Sequence, residues 1–308
     1  MPVNVAVVGV GYLGVHHARI YSCLDGANLS AVVDPDMEAA KAAAAKYGGS
    51  AVSDFREILC DVEALSIVTP TSFHFEVALE CLKAGKHLLI EKPITTTVDE
   101  ADALIEAARE YGCIVQVGHL ERYNPAVMAV RGMVSDPRFI ECERLAPFQP
   151  RGTDVDVTLD LMIHDIDIVM SLLEGREITG IRAKGTKFLT GKIDVAKAWL
   201  EFEGGAKALI TANRIADAKK RLLRIHQGNS ILNVDYMGMK IDESTKNDNG
   251  ISTRSVEIVE HEPLKEEIRD FLRCVRNREK PMVSAFEGRR ALEVALDITA
   301  MIKESEKY

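Results

Sequence analysis

Residues 3–36 decide the fold: VNVAVVGVGYLGVHHARIYSCLDGANLSAVVDPD. Val3–Val8 is an apolar run that predicts a buried strand. It meets Gly9-Val10-Gly11-Tyr12-Leu13-Gly14, a GxGxxG turn, and then a helical pattern. Twenty residues past Gly14, a second apolar run, Leu29–Val33, ends on Asp34. The glycines do different physical work. Gly9 permits the tight strand-to-helix turn, Gly11 lets backbone approach a pyrophosphate, and Gly14 lets helix and strand pack closely. The helix N-terminus offers N–H groups and a positive dipole end to phosphates. Asp34 can accept hydrogen bonds from both hydroxyls of an adenosine ribose and would repel a 2′-phosphate, so NAD is favoured over NADP. The competing reading is a glycine-rich turn with no ligand. Placement after a strand, before a helix and with an acid ending the second strand favours a dinucleotide site. Its expected residues are Gly9, Gly11, Tyr12, Leu13, Gly14 and Asp34.

The 308 residues are 47% hydrophobic and 28% charged, an ordinary globular composition that fits one large or two medium domains. The net charge of −9 argues against non-specific binding to nucleic acid or an anionic membrane. Cysteines 23, 60, 81, 113, 142 and 274 are scattered, without CxxC or Cys/His spacing. Neither a zinc site nor a disulfide framework is expected, and reduced thiols in a cytoplasmic protein are the default. The N-terminus enters a strand without a signal-like leader, and no apolar run reaches the length of a membrane span.

Residues 1–118 alternate strand and helix patterns. After the opening unit come a helix over Met37–Tyr47, a short helical piece at Phe55–Leu59 and a strand at Ala64–Val68. A helix over Phe73–Ala84 and a strand at His87–Ile90 follow. Thr97 or a neighbour caps a helix running to about Tyr111, and the last strand is Ile114–Val117. Repeated βα units predict a parallel sheet with helices on both faces. Ligands on such sheets bind beyond the carboxyl ends of the strands. Gly9–Gly14, Asp34, Thr69–His74, Glu91–Pro93 and Gly118–Asn124 all sit at those ends. After residue 120 the texture changes. A connecting helix at Pro125–Val134, a strand at Arg138–Leu145 and a Pro/Gly loop at Ala146–Gly152 precede a helix over Val157–Leu173. Strand-like stretches follow at 178–188, 194–203, 206–214, 221–226, 230–235 and 256–260, with Glu203-Gly204-Gly205 as a hairpin turn. Helices at Leu264–Arg276 and Ala285–Glu304 close the chain. The expected architecture is an α/β Rossmann domain (1–120), then an α+β domain with a large, mostly antiparallel open sheet (121–308).

Three constellations carry possible chemistry. In Glu91-Lys92-Pro93 the lysine ends a strand near the expected nicotinamide, and a solvated strand-end lysine reads equally well. Asp160 and His164 share a helix face, where a carboxylate can raise the basicity of an imidazole. An ordinary i,i+4 surface pair is the competing reading. Asp165 and Asp167 nearby suggest a metal, but Asp165 lies about 100° around the helix from His164, so no metal site is expected. In Gly118–Pro125, Arg122 either grips a phosphate or carboxylate or makes a salt bridge at a domain junction. Tyr123 and Asn124 add an aromatic ring and an amide, and Arg144 and Arg151 are further candidates for a diphosphate.

Together, GxGxxG at 9–14, Thr69-Pro70 with His74, Glu91-Lys92-Pro93, and Asp160 with His164 resemble the Gfo/Idh/MocA oxidoreductases. The resemblance spans essentially the whole chain. It implies a catalytic set of Lys92, Asp160 and His164. It adds Thr69, Pro70, His74, Glu91 and Lys92 to the cofactor set, and Arg122, Tyr123, Asn124, Arg151 and His164 as substrate contacts. It also implies NAD as cofactor and a homodimer or homotetramer built on the second-domain sheet. VGHLERYNPAV (117–127) with LDLMIHDIDIV (159–169) is similar to the branch that oxidises the 3-hydroxyl of UDP-N-acetylglucosamine. Many family members carry Gly-Ser before the catalytic histidine. Met162-Ile163 here points away from inositol and glucose dehydrogenases. Alternatives are another sugar or polyol dehydrogenase, a glycosidase using NAD transiently, and a non-catalytic NAD-binding regulator.

Overall fold

The computed structural model describes residues 2–150 and 153–305. Its first elements are β1 (Val3–Val8), α1 (Gly14–Cys23), β2 (Ala27–Val33), α2 (Met37–Tyr47), β3 (Ser50–Val52) and β4 (Ala64–Ile67). They are followed by α3 (His74–Lys83), β5 (His87–Glu91), α4 (Val98–Glu110) and β6 (Val115–Gly118). The strands form one parallel sheet in the order β3-β2-β1-β4-β5-β6. The order reverses between β1 and β4, which makes the carboxyl end of β1 the crevice where ligands of such sheets bind. β4 and β5 are buried throughout, as continuous apolar strands between two helical layers should be. Helix starts follow local chemistry. The Asp36 carboxylate accepts the N–H groups of Glu38 and Ala39, and Thr97 with Glu100 forms a reciprocal capping box on α4. The short strand β3 is absent from the sequence reading, because three half-exposed residues carry no periodicity.

The second group comprises α5 (Pro125–Arg131), β7 (Pro137–Leu145), α6 (Ile163–Leu172), β8 (Ile178–Thr186), β9 (Val195–Phe202), β10 (Lys207–Asn213) and β11 (Lys220–Gln227). It continues with β12 (Ser230–Asp235), β13 (Lys240–Asn247) and β14 (Gly250–Val256), then α7 (Pro263–Asn277) and α8 (Ala285–Ser305). β7–β14 form an eight-stranded sheet in the order β14-β13-β12-β11-β7-β10-β9-β8. Its one parallel pair is β7 with β10, and every other pairing is antiparallel. Strict alternation buries Ala196, Ala198 and Leu200 on β9 and Ala208, Ile210 and Ala212 on β10. Gly204 and Gly205 take positive φ in the turn between those strands. The hairpin β13–β14 replaces the strand expected at 256–260. Both strands are mostly polar, β13 half-buried and β14 largely exposed, so no apolar alternation announces them.

The chain divides into two units, and the division is not a single cut at 120. Glu262–Leu292 joins the residues up to Leu120, whereas Glu121–His261 groups with the chain from Glu293 onward. The cause is the apolar stripe of α7. Leu264, Ile268, Phe271, Leu272 and Val275 enter the same core as Val3, Val5, Val7, Ile20 and Tyr21. The Val117 N–H also donates to the Val283 carbonyl at 2.9 Å, and Gln116 bridges to Ser284 beside β6.

Candidate active site

The glycine turn tests whether the first unit fits a dinucleotide. Gly9 has φ +90°, and a Cβ there would lie 2.8 Å from the Val68 carbonyl carbon and oxygen. A Cβ on Gly14 would lie 1.8 Å from the Gly9 oxygen. The protein's own packing therefore demands both. Gly11 differs: a Cβ on it meets nothing within 4 Å, and its φ lies outside the positive region. Nothing in the protein requires glycine there, and open space over bare backbone is what a pyrophosphate needs. Asp34 ends β2 with Oδ2 accepting the Val10 N–H and Oδ1 the Asp36 N–H, both at 2.9 Å. A carboxylate has about four acceptor positions, so capacity for ribose hydroxyls remains. The Thr69 hydroxyl, at the end of β4, is buried and has no hydrogen-bond partner among the described residues. These features fit the group. The Leu13 side chain packs toward the core, so its expected contribution falls to its backbone, while Tyr12 is 74% exposed.

Two residues expected to touch the cofactor, His74 and Glu91, have hydrogen-bond partners inside the protein. His74 is buried, with Nδ1 2.9 Å from the Pro93 carbonyl and Nε2 2.8 Å from the Thr69 carbonyl. The ring thus clamps the loops after β4 and β5. Carbonyls only accept, so both bonds form together only with the imidazolium. Burial, the largest influence, pushes the ring's pKa down, opposed by the carbonyls and by the Glu91 charge. Glu91 is also buried, and its carboxylate turns toward His17 Nε2 at 3.2 Å and the Lys92 backbone N–H at 3.3 Å. Lys92 follows at the strand end, half-buried.

The sequence reading missed a buried polar cluster behind this strand end, formed by His17, Tyr21, Ser66 and Glu267. His17 Nδ1 lies 3.2 Å from Ser66 Oγ, and Tyr21 Oη lies 2.8 Å from the same atom. Glu267, on α7, is 0% exposed, and neither carboxyl oxygen has a hydrogen-bond partner among the described residues. Burial, with the Glu91 and Asp270 charges, raises its pKa well above the usual carboxyl range. The detectable signal was His17 and Tyr21 four apart on a helix that otherwise buries apolar residues.

In the second unit, Asp160 lies in a π-helical turn, Thr158–Met162, that runs into α6, where His164 is the second residue. The sequence pattern reads this stretch as one α-helix. Such turns are concentrated at functional sites because they re-aim side chains. The Asp156 backbone carbonyl accepts the Leu159 and Asp160 N–H groups, and Asp156 Oδ2 meets Lys303 Nζ at 2.7 Å. Both Asp160 and His164 are partly exposed.

The arginines and acids nearby are paired with one another. Arg144 is buried and bidentate to Asp165, with Nε and Nη2 each 2.9 Å from a carboxylate oxygen, and its Nη1 reaches Glu121 at 2.8 Å. Arg221 reaches the same Glu121 oxygen at 2.9 Å. Burial alone would raise the Glu121 pKa, but the two guanidinium groups hold it below the usual range. Arg122 is buried with Nη1 3.3 Å from Asp167 Oδ1. Tyr123 is a core side chain, and Asn124 caps α5 by accepting the Ala126 N–H. Arg122, Tyr123 and Asn124 thus each have a partner or a packing role within this unit. Asp165 and Asp167 neutralise arginines, and no group of three metal-binding side chains occurs among the described residues. Arg151 lies outside the described residues.

Comparison with known proteins sets these geometries in a family. The model described as oxidoreductase family, NAD-binding Rossmann fold matches residues 3–119, and the GFO/IDH/MocA C-terminal domain matches 126–229. A UDP-N-acetylglucosamine 3-dehydrogenase from Acidithiobacillus ferrooxidans is 36% identical over 304 residues, covering 96% of each chain. The chain belongs to the Gfo/Idh/MocA oxidoreductases. A solved structure of the Acidithiobacillus enzyme superposes with a TM-score of 0.95 over 99% of this chain and 98% of that one, at 35% identity. A scyllo-inositol 2-dehydrogenase (NAD(+)) from Bacillus subtilis is 30% identical over 320 residues, 96% of this chain and 93% of that one. The chain is thus an oxidoreductase of a family that binds NAD on its Rossmann domain.

Proposed function

We propose that this enzyme oxidises a secondary hydroxyl of a sugar, and that the hydroxyl is the 3-position of UDP-N-acetylglucosamine, giving the 3-keto nucleotide sugar. The observation that carries this reading is the full-length similarity to the Acidithiobacillus enzyme. NAD⁺ bound over the glycine turn supplies the hydride acceptor. His164 takes the hydroxyl proton as general base. Lys92 donates a hydrogen bond to the same oxygen and stabilises its alkoxide character. Asp160, one turn earlier, orients and polarises the imidazole. Arg122, whose guanidinium also meets Asp167, and Arg151 are the proposed contacts for the diphosphate. No described helix is long and apolar enough to cross a membrane. A cytoplasmic homodimer or homotetramer built on the eight-stranded sheet completes the proposal.

The similarity to the Bacillus inositol enzyme supports a second reading, a polyol dehydrogenase. Purified protein with NAD⁺ and either UDP-N-acetylglucosamine or scyllo-inositol separates the two. NADH absorbance should rise only with the nucleotide sugar, whose mass should fall by one hydrogen pair. Turnover of the inositol alone selects the second reading, and turnover of neither refutes both.

A further inference from the structure

The proposed chemistry makes no use of His17, although it is fully buried in the helix that carries the glycine turn. Its ring joins three elements: α1 itself, Ser66 on β4 and Glu91 on β5. Hydrogen-bond polarity sets the directions. A carboxylate only accepts, so His17 Nε2–H donates to Glu91 Oε1. In that tautomer Nδ1 accepts from the Ser66 hydroxyl, and the Tyr21 hydroxyl donates to Ser66 Oγ. Tyr21 stays a phenol, since burial raises its pKa. The other Glu91 oxygen accepts the Lys92 backbone N–H. One ordered chain of donors and acceptors therefore links α1 to the backbone of Lys92. Gly118, opposite Glu91 on β6, makes room for it, since a Cβ there would lie 2.8 Å from Glu91 Cδ and Oε1.

We propose that His17 is a positioning residue for Lys92. Through Glu91 it fixes the backbone from which the lysine side chain departs, and it ties that backbone to the helix that receives the dinucleotide. Without the Nε2 donor, a buried acceptor loses its partner and the strand end relaxes. The proposal rests on the reading that Lys92 acts on substrate.

The test uses His17→Asn, which keeps a polar atom near Ser66 but cannot reach Glu91, and His17→Gln, whose Nε2 keeps the donor to Glu91. Three quantities are measured: steady-state kinetics with NAD⁺ and UDP-N-acetylglucosamine, NAD⁺ affinity, and the reductive methylation rate of Lys92 followed by peptide mass spectrometry. His17→Asn should lower kcat about 100-fold, the loss expected from a misplacement of about 1 Å. KM and NAD⁺ affinity should hold, and the Lys92 methylation rate should change. His17→Gln should return both kcat and methylation toward wild type. Asparagine and glutamine variants that behave alike, or unaltered Lys92 methylation in His17→Asn, overturn the proposal. If His17→Asn does not fold, His17→Met, similar in bulk and lacking the donor, takes its place. If only His17→Gln folds, His17 is a folding residue and the proposal fails. A wild-type protein inactive on the nucleotide sugar defeats the proposed substrate, while the methylation comparison still decides the role of His17.

Discussion

Glu267→Gln should stabilise the protein by an amount that grows with pH. The carboxyl is fully buried on α7, has no hydrogen-bond partner among the described residues, and lies in the field of Glu91 and Asp270. Burial and those charges raise its pKa in the folded protein, so the native state keeps a proton that the unfolded chain loses above about pH 4.3. Between the unfolded and folded values the native state holds more protons, and stability falls as pH rises. The slope is about 1.4 kcal/mol per pH unit. Glutamine mimics the protonated acid and removes that slope. Over the range in which the unfolded carboxyl is ionised and the folded one is not, the advantage of the variant should therefore grow by about 1.4 kcal/mol per pH unit. For a unit of this size that is roughly 3–6 °C in Tm per pH unit. Scanning calorimetry of both proteins at several pH values reads it directly. A Tm difference that is the same at pH 5 and pH 7 would refute a carboxyl held neutral.

The glycines separate packing from binding. Gly11→Ala should leave stability within about 0.5 kcal/mol by denaturant titration, since its Cβ enters open space, yet weaken NAD⁺ binding measured by calorimetry. Gly14→Ala should instead destabilise the fold by about 1–3 kcal/mol or more, because its Cβ collides with the Gly9 carbonyl. Asp34→Ala should lose NAD⁺ affinity, and tighter binding of NADP than NAD by the wild type would contradict the assigned ribose contact.

The fold was legible where patterning and packing agree. The βα alternation before residue 118 gives the parallel sheet, and the alternating apolar residues of β9 and β10 give the second. The stripe of α7 was also legible, but its partner was not: amphipathicity says that a helix buries one face, not which unit receives it. The hairpin β13–β14 was invisible because both its faces are polar. At the site, spacing revealed the glycine turn and the strand ends. It did not reveal how charges are shared. Arg122 and Arg144 carry Asp167, Asp165 and Glu121 against them, and His74 and Glu91 carry buried partners. Such pairings are long-range in sequence, and single residues carry no trace of them.

The proposed mechanism needs an ammonium and an imidazole acting on one hydroxyl. Its most direct test is turnover of UDP-N-acetylglucosamine by Lys92→Ala and His164→Ala, each verified as folded and NAD⁺-bound. Loss of either group should lower kcat about 10²- to 10⁴-fold at saturating NAD⁺. Near wild-type turnover in either variant would contradict it.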